Sequence, residues 1–189
     1  LLGAKSVIGV DYSDDGLKIA KKNYKHKNLF FLKQNVLNLK FKSRSFDIVF
    51  SNGVLHHTSN LEKGIEELHR ICKKGGYIYL YLYGAGGLYW SARKKMNKLM
   101  KKIPQNYSQN ILNFIGMPLN RFIFMDNWYV PIENHCYHKN IFKILRKLGV
   151  QSIEKMLKGR KTDLETALYN HKNSKLIWGE GEIRLLIKK

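Results

Sequence analysis

The sequence has few cysteines and no long apolar run. Cys72 and Cys136 are the only two cysteines, and isolated cysteines suit a reducing compartment and offer no zinc-binding spacing. The longest apolar run, residues 76–82, is far shorter than the ~20 residues needed to span a bilayer. Lys5 and Asp11 interrupt the start of the chain too early for a secretory signal. These features predict a cytoplasmic protein without a membrane-spanning helix.

Acidic residues are also scarce. The chain has 14 Asp and Glu against 34 Lys and Arg, which gives a formal net charge of +20. Such a charge is typical of proteins that bind nucleic acid or anionic membranes. The lysines, however, run through nearly every segment with few arginines among them, whereas a nucleic-acid reader usually concentrates charge on one face and uses Arg. The favoured explanation of the charge is a generally Lys-rich composition. A nucleic-acid partner is kept as the alternative explanation.

The first half of the chain alternates strand and helix patterns. The predicted order is strand 6–11, helix 13–25, strand 29–32, strand 46–50, helix 61–74 and strand 77–82. Ser13 is expected to cap the first helix, and Gly75 and Gly76 to end the second. Alternating elements with nearly continuous apolar strands predict a parallel sheet that is covered on both faces. Ligands bind such sheets at the carboxyl ends of their strands.

The second half has a different character. Residues 84–87 form a glycine-rich joint, and residues 88–103 predict a basic amphipathic helix with apolar residues at steps of three and four. Residues 104–137 are rich in aromatic residues and are broken by prolines. One helix and two strands are predicted to follow, over residues 140–148, 150–156 and 182–187.

Two segments point to a nucleotide-type site. Asp11 ends the first predicted strand, where a carboxylate can accept both hydroxyls of a ribose or simply cap the next helix. The segment Phe46–His57 (FDIVFSNGVLHH) runs from a strand into a small-residue turn and a histidine pair. This segment resembles the fourth-strand motif of class I S-adenosylmethionine-dependent methyltransferases, particularly the type 11, ubiquinone-biosynthesis-like group.

Further motifs extend the resemblance in the same order. They are Val10-Asp11-Tyr12-Ser13, Asn35-Val36-Leu37-Asn38-Leu39, the Glu67, Arg70, Lys73 and Gly75-Gly76 pattern, Asp126–Pro131 and Gly179–Arg184. The resemblance is strong over residues 6–83 and loose over 84–189, and it depends on the order and spacing of the motifs. A dehydrogenase also places an acid at the second strand end, but it does not account for the other segments together.

The resemblance implies a fold and a division of the chain. The expected fold is a Rossmann-like, doubly wound α/β sheet, mostly parallel with an antiparallel last strand, plus a helical lid insertion. Residues 1–83 would form the cofactor-binding part, 84–137 the lid on the acceptor side, and 138–189 the helix and strands that complete the domain. The family's first strand and glycine-rich loop are expected just before Leu1, so that they are absent from this chain.

The resemblance also implies S-adenosylmethionine as the cofactor and assigns its contacts. Asp11 would hold the ribose, and Asn35 and Val36 the adenine edge. Ser51 and Asn52 would lie near the methionine and the sulfonium. Tyr12 would pack either on the adenine or ribose or in the core. The family usually has Asp at the position of Asn35, whose amide oxygen can accept the same hydrogen bond.

The two adjacent histidines suggest a catalytic role. Methyl transfer needs a positioned nucleophile and, for some acceptors, a base that removes its proton, which a histidine can supply. His57 and His56 are therefore candidate bases, against the alternative that they pack at the junction of strand and helix. His135, Cys136 and His138 lie close in sequence, but their spacing does not fit a metal site. No metal is expected.

These observations predict methyl transfer to a small-molecule or lipid-like acceptor. The alternatives are an RNA methyltransferase, which the charge of +20 would serve, and a noncatalytic membrane-surface or partner-binding module. The second alternative would use the basic helix 88–103. An enzyme could use the same helix for peripheral membrane contact.

Overall fold

The computed structural model describes residues 3–117, 125, 128–156 and 172–189. The strands are β1 (Val7–Asp11), β2 (Leu29–Lys33), β3 (Phe46–Asn52), β4 (Cys72–Tyr83), β5 (Ser152–Lys155) and β6 (Glu182–Lys188). The helices are α1 (Asp14–Asn23), α2 (Leu61–Ile71), α3 (Gly87–Met100), α4 (Gln105–Phe114), α5 (His138–Lys147) and α6 (Ser174–Trp178), with a 3-10 turn at Leu55–His57. None of these described helices is long and apolar enough to cross a membrane.

The strands form two sheets. β1 and β2 pair in parallel, and a four-stranded sheet has the order β3-β4-β6-β5. β3 and β4 are parallel, whereas β6 is antiparallel to both β4 and β5. The α/β fold with an antiparallel last strand is therefore confirmed. Within the described ranges β1 does not pair with β3, so that each strand leaves one edge facing the space between the two sheets.

The core lies around the four-stranded sheet. The central strands β4 and β6 place seven fully or almost fully buried side chains there, namely Cys72, Ile78, Leu80, Leu82, Ile183, Leu185 and Ile187. Helices α2 and α5 cover them with apolar stripes that include Ile65, Leu68 and Leu145. By contrast, the β1–β2 pair keeps Val10, Phe30 and Leu32 exposed. A two-stranded sheet with one helix buries little apolar surface by itself.

The prediction that Gly75 and Gly76 end the second helix is wrong. Helix α2 ends at Ile71, and β4 begins at Cys72 and continues through both glycines. The Gly75 amide donates to the carbonyl of Lys189, and the Lys189 amide donates to the Gly76 carbonyl. Gly75 has φ +73°, and a Cβ on Gly76 would lie 2.7 Å from the Asp47 carbonyl oxygen. The glycine pair therefore accommodates an irregularity in strand pairing, which shifts between Phe46 and Ile48.

Other boundaries shift by a few residues. Ser13 caps α1 as predicted, since its hydroxyl oxygen accepts from the Gly16 amide at 3.2 Å. Helix α1 ends at Asn23 rather than Lys25, and α3 ends at Met100 rather than Ile103. Pro104 follows closely, and a proline disfavours helix at the residue before it. Of the Asp126–Pro131 pattern, residues 126 and 127 lie outside the described part of the chain.

Glu67 and Arg70 hold the loop between β2 and β3 against α2. The buried Glu67 carboxylate accepts from the Leu39 amide at 2.9 Å and from two guanidinium nitrogens of Arg70 at 3.0 Å. Arg70 also donates to the carbonyls of Leu39 and Phe41, at 2.8 and 2.7 Å. The hydrogen bond from Arg70, and then that from the Leu39 amide, keep the pKa of Glu67 below its usual value. Burial acts in the opposite direction but does not outweigh them. The Glu-x-x-Arg pattern thus fixes the loop that follows Asn35.

Candidate functional site

A cavity of about 790 Å³ separates the two sheets. We call it the interstrand cleft, since β1 and its turn line one side and β3 with the following turn lines the other. Seven of the eight predicted site residues line the cleft: Asp11, Tyr12, Asn35, Val36, Ser51, Asn52 and His57. The eighth, His56, does not line it.

Parallel strand direction explains why these residues meet. Asp11 ends β1, Asn52 ends β3, and Asn35 comes two residues after the end of β2. β1 runs parallel to β2, and parallel strands bring their carboxyl ends to the same edge of a sheet. Asp11 and Asn35 therefore lie at the same edge of the β1–β2 pair, and Asn52 lines the same cleft from β3.

Asp11 combines a capping contact with exposure to the cleft. Its Oδ1 accepts from the Ser13 amide at 2.8 Å, so that the carboxylate bends over the first turn of α1. Gly16 leaves room for this conformation, because a Cβ there would lie 2.9 Å from Oδ2 of Asp11. Within the described part of the chain, Oδ2 has no hydrogen-bond partner. The two functions suggested by the sequence, capping and ligand binding, are thus compatible in one side chain.

Asn35 and Tyr12 occupy the β1–β2 side of the cleft. The Asn35 Oδ1 accepts from the Leu37 amide at 2.9 Å, which leaves one of its lone-pair directions for another donor. Tyr12 is 73% exposed. The alternative that Tyr12 packs in the core is therefore wrong, and its ring is available on the cleft side.

Ser51 places an unsatisfied polar group on the opposite side. Its side chain is only 4% exposed, and its hydroxyl has no hydrogen-bond partner among the residues described. A buried polar group without a partner costs roughly 1–3 kcal/mol. Ser51 lines the cleft next to the exposed Asn52.

The two histidines have different surroundings. The Nδ1 of His57 lies 2.9 Å from the carbonyl oxygen of Ile132. A carbonyl can only accept, so Nδ1 carries the hydrogen, and Nε2 of the neutral ring keeps its lone pair. His56 is fully buried behind the cleft and stacks on Tyr83 with ring centroids 3.8 Å apart. Burial first, and the nearby positive charges next, lower the pKa of His56 to about 3.

A buried cluster beyond the cleft was not predicted from the sequence. Arg93 Nη2 lies 2.5 Å from Oε1 of Glu133, and both side chains are buried. The guanidinium stacks over the ring of Tyr83, at 4.9 Å from its centroid. Burial opposes ionisation of Glu133, but the hydrogen bond from His135 and the charge of Arg93 outweigh it and lower its pKa. The partners are about 40 residues apart in sequence, and no local pattern connects them.

The histidine and cysteine cluster near residue 136 is used structurally. His135 Nδ1 lies 2.9 Å from the Gly84 carbonyl oxygen, and His138 pairs with Glu180. Cys136 is buried, and this raises its pKa to about 11. Across residues 3–117, 125, 128–156 and 172–189 there is no group of three or more His, Cys, Asp and Glu that could hold a metal ion.

Comparison with known sequences identifies relatives over most of the chain. A family model described as a methyltransferase domain matches residues 1–80. A demethylmenaquinone methyltransferase of Chlorobaculum tepidum is 30% identical over 154 residues, which cover 80% of this chain and 58% of the relative. A phthiotriol/phenolphthiotriol dimycocerosates methyltransferase of Mycobacterium tuberculosis is 31% identical over 73 residues, 39% of this chain and 27% of the relative. The chain thus spans little more than half the length of the first of these relatives.

Comparison with solved structures identifies the same fold. An S-adenosylmethionine-dependent methyltransferase of Thermotoga maritima superposes with a TM-score of 0.57 at 19% identity, covering 96% of this chain and 72% of the other. One from Mesorhizobium loti gives a TM-score of 0.59 at 13% identity, covering 99% and 82%. At these identities the likeness concerns the fold, and it supports the Rossmann-like assignment.

Proposed function

We propose that the full protein transfers a methyl group from S-adenosylmethionine to a small-molecule or lipid-like acceptor, since a methyltransferase-domain model matches residues 1–80 and a demethylmenaquinone methyltransferase is 30% identical over 154 residues. The observation that carries the proposal is the interstrand cleft, in which the carboxyl ends of β1 and β3 gather Asp11, Asn52 and His57. The chain spans 58% of its first relative, so the proposal concerns the whole protein.

The cleft residues suit the parts of this cofactor. Asp11 would accept from the ribose hydroxyls, because its Oδ2 has no partner in the described ranges. Asn35 and Val36 would contact the adenine edge, and the partnerless hydroxyl of Ser51, with Asn52, would meet the polar methionine end. S-adenosylmethionine supplies a methyl group already activated on a sulfonium. The protein therefore has to position the acceptor and, where needed, remove its proton.

His57 is the proposed proton acceptor. Its ring lines the cleft, and the Ile132 carbonyl orients it so that Nε2 holds the lone pair. His56 is a weaker candidate, because a fully buried ring behind the cleft does not reach an acceptor.

The acceptor side of the cleft is apolar. Ile48, Phe50, Val54 and Ile132 line it, and all four are exposed. The relatives are named for a quinone and for dimycocerosate lipids, and an apolar wall suits acceptors of that kind. Residues 84–137 would act as a lid, because Ile132 already contributes to the cleft wall.

The test is methyl transfer by the full-length protein with labelled S-adenosylmethionine and a panel of quinol, phenolic lipid and RNA acceptors. We expect transfer to a quinol or phenolic lipid. His57→Ala should slow it by about 10²–10⁴, with the surface variant His26→Ala as the matched control. Transfer to RNA alone would contradict the acceptor class, and a loss below about tenfold would remove His57 as the base.

A further inference from the structure

Helices α3 and α4 carry an exposed apolar surface that the proposed reaction does not explain. On α3 and the turn after it, Met96, Leu99 and Ile103 are spaced by three and four residues, so they share one face. On α4 and just beyond it, the exposed side chains are Tyr107, Ile111, Phe114 and Ile115. Phe114 is 92% exposed. We call these seven residues the hairpin surface.

Its exposure follows from how α4 packs. The inward side chains of α4 are Ser108 and Leu112, which are nearly fully buried. The Ser108 hydroxyl lies 2.7 Å from the hydroxyl of Tyr129, which fixes the orientation of the helix. Tyr107 and Ile111 each immediately precede one of these inward residues and point elsewhere. Exposed apolar side chains grouped on neighbouring helices are typical of a surface that contacts a protein or a membrane.

The charged residues of the α3–α4 segment itself are all of one sign. Residues 87–117 contain no Asp or Glu, but they contain Arg93 and five lysines. Lys95, Lys98 and Lys102 each precede one of the α3 apolar residues by one position, so they form a parallel stripe beside it. Lys94, Lys95, Lys98 and Lys102 are exposed. Lysines beside an exposed apolar stripe complement the headgroups and acyl region of an anionic bilayer.

The hairpin surface is also connected to the cleft. The Asn97 side-chain amide donates to the Trp128 carbonyl at 3.0 Å, and the Lys101 ammonium donates to the Pro131 carbonyl at 3.2 Å. The next residue, Ile132, holds His57 through its carbonyl and lines the cleft. One short segment therefore joins α3 to the cleft wall.

We propose that the hairpin surface docks the protein on an anionic phospholipid bilayer. Phe114 and its apolar neighbours enter the interface, and the lysine stripe of α3 lies against the headgroups. Nucleic acid would use the lysines but would leave the apolar stripe without a function, so the bilayer is the partner that uses both features. Its benefit to the enzyme, access to a lipid-like acceptor, rests on the proposed function, whereas the binding itself does not.

The test is co-sedimentation of the full-length protein with phosphatidylcholine vesicles that contain or lack phosphatidylglycerol, without cofactor or acceptor. The charge variant is K94Q/K95Q/K98Q/K102Q. Its matched control, K21Q/K22Q/K25Q/K27Q, removes four exposed positive charges near the end of α1. A second variant, L99S/F114S, keeps the charge and removes apolar area. Urea unfolding of each variant checks that the fold is kept.

We expect binding that requires phosphatidylglycerol and weakens at least ~tenfold in the charge variant, since each lysine near an anionic surface contributes several-fold. L99S/F114S should also bind more weakly, and the α1 control should stay within about threefold of wild type. Equal losses in the two charge variants would show a net-charge effect and overturn the proposal. Unchanged vesicle binding by L99S/F114S would also overturn it. So would an RNA-binding assay in which the charge variant loses affinity for RNA while it keeps its affinity for vesicles. Because no turnover is measured, these outcomes are independent of the methyl-transfer test.

Discussion

The buried ring of His56 predicts an acid-sensitive fold, which the substitution His56→Phe tests. The side chain is 0% exposed, and neither ring nitrogen has a hydrogen-bond partner among the described residues. Stacking on Tyr83 holds the ring in place. Burial first, then the charges of His57, His135 and Arg93, lower the pKa of His56 from 6.5 to about 3.

The sign of the pH effect follows from the two states. Between pH 6.5 and about 3 the unfolded chain binds a proton at this position and the folded chain does not. The free energy of unfolding therefore rises with pH across this window. The stability that the neutral ring contributes is lost as the pH falls. At about pH 5 the loss from this one ring is roughly 2 kcal/mol relative to pH 7. The size of this loss depends on the pKa of the ring in the unfolded chain. It hardly depends on the pKa in the folded chain, provided that this stays well below about 5.

Phenylalanine keeps the stacked aromatic ring and removes the titration. We expect the drop in the free energy of unfolding between about pH 7 and pH 5 to be about 2 kcal/mol smaller in His56→Phe than in wild type. The larger ring can itself cost about 1–3 kcal/mol at either pH, so the difference between the two pH values is the quantity to compare. Urea titrations of the full-length protein at both pH values provide it.

The control is His26→Phe, at an exposed position. It should leave the pH dependence close to that of wild type. If His56→Phe showed the same drop as wild type, the ring would not be held neutral in the folded state. The buried, partnerless environment assigned to His56 would then be incorrect.

Three further predictions concern the loop clamp, the cofactor and the lid. Glu67→Ala should lower the free energy of unfolding by about 2–4 kcal/mol in urea titrations, because the buried Leu39 amide and the half-buried Arg70 lose their acceptor. The more exposed neighbour Glu66→Ala should cost at most about 0.5 kcal/mol, and equal effects would refute the clamp. Asp11→Ala should weaken S-adenosylmethionine binding by about 1.5–3 kcal/mol in calorimetry, with Asp15→Ala as control; unchanged affinity would remove Asp11 from the site. Asn97→Ala should raise the acceptor KM several-fold at unchanged cofactor affinity, and a parallel loss of cofactor affinity would contradict a lid role.

Local patterns in the sequence determined the elements and much of the site. The apolar strand ending at Asp11, the Ser13 cap and the β3 segment leading to Asn52 all follow short-range rules of burial and capping. Parallel pairing then brings the ends of β1 and β2 to one edge, and β3 completes a cleft that seven predicted site residues share. Resemblance to a family added their proposed roles, which stay predictions.

Tertiary structure decided what local patterns leave ambiguous. Gly75 and Gly76 suit a helix end or a strand irregularity equally well. Their hydrogen bonds to Lys189, between the paired residues Cys72 and Tyr77 of the same strand, selected the strand. The adjacent histidines are alike in sequence, yet His57 faces the cleft and His56 is buried against Tyr83. The ion pair between Arg93 and Glu133 joins segments that approach each other only in the folded chain. Local propensity acts over a few residues, whereas burial and pairing depend on contacts between distant segments, and only the folded chain creates those contacts.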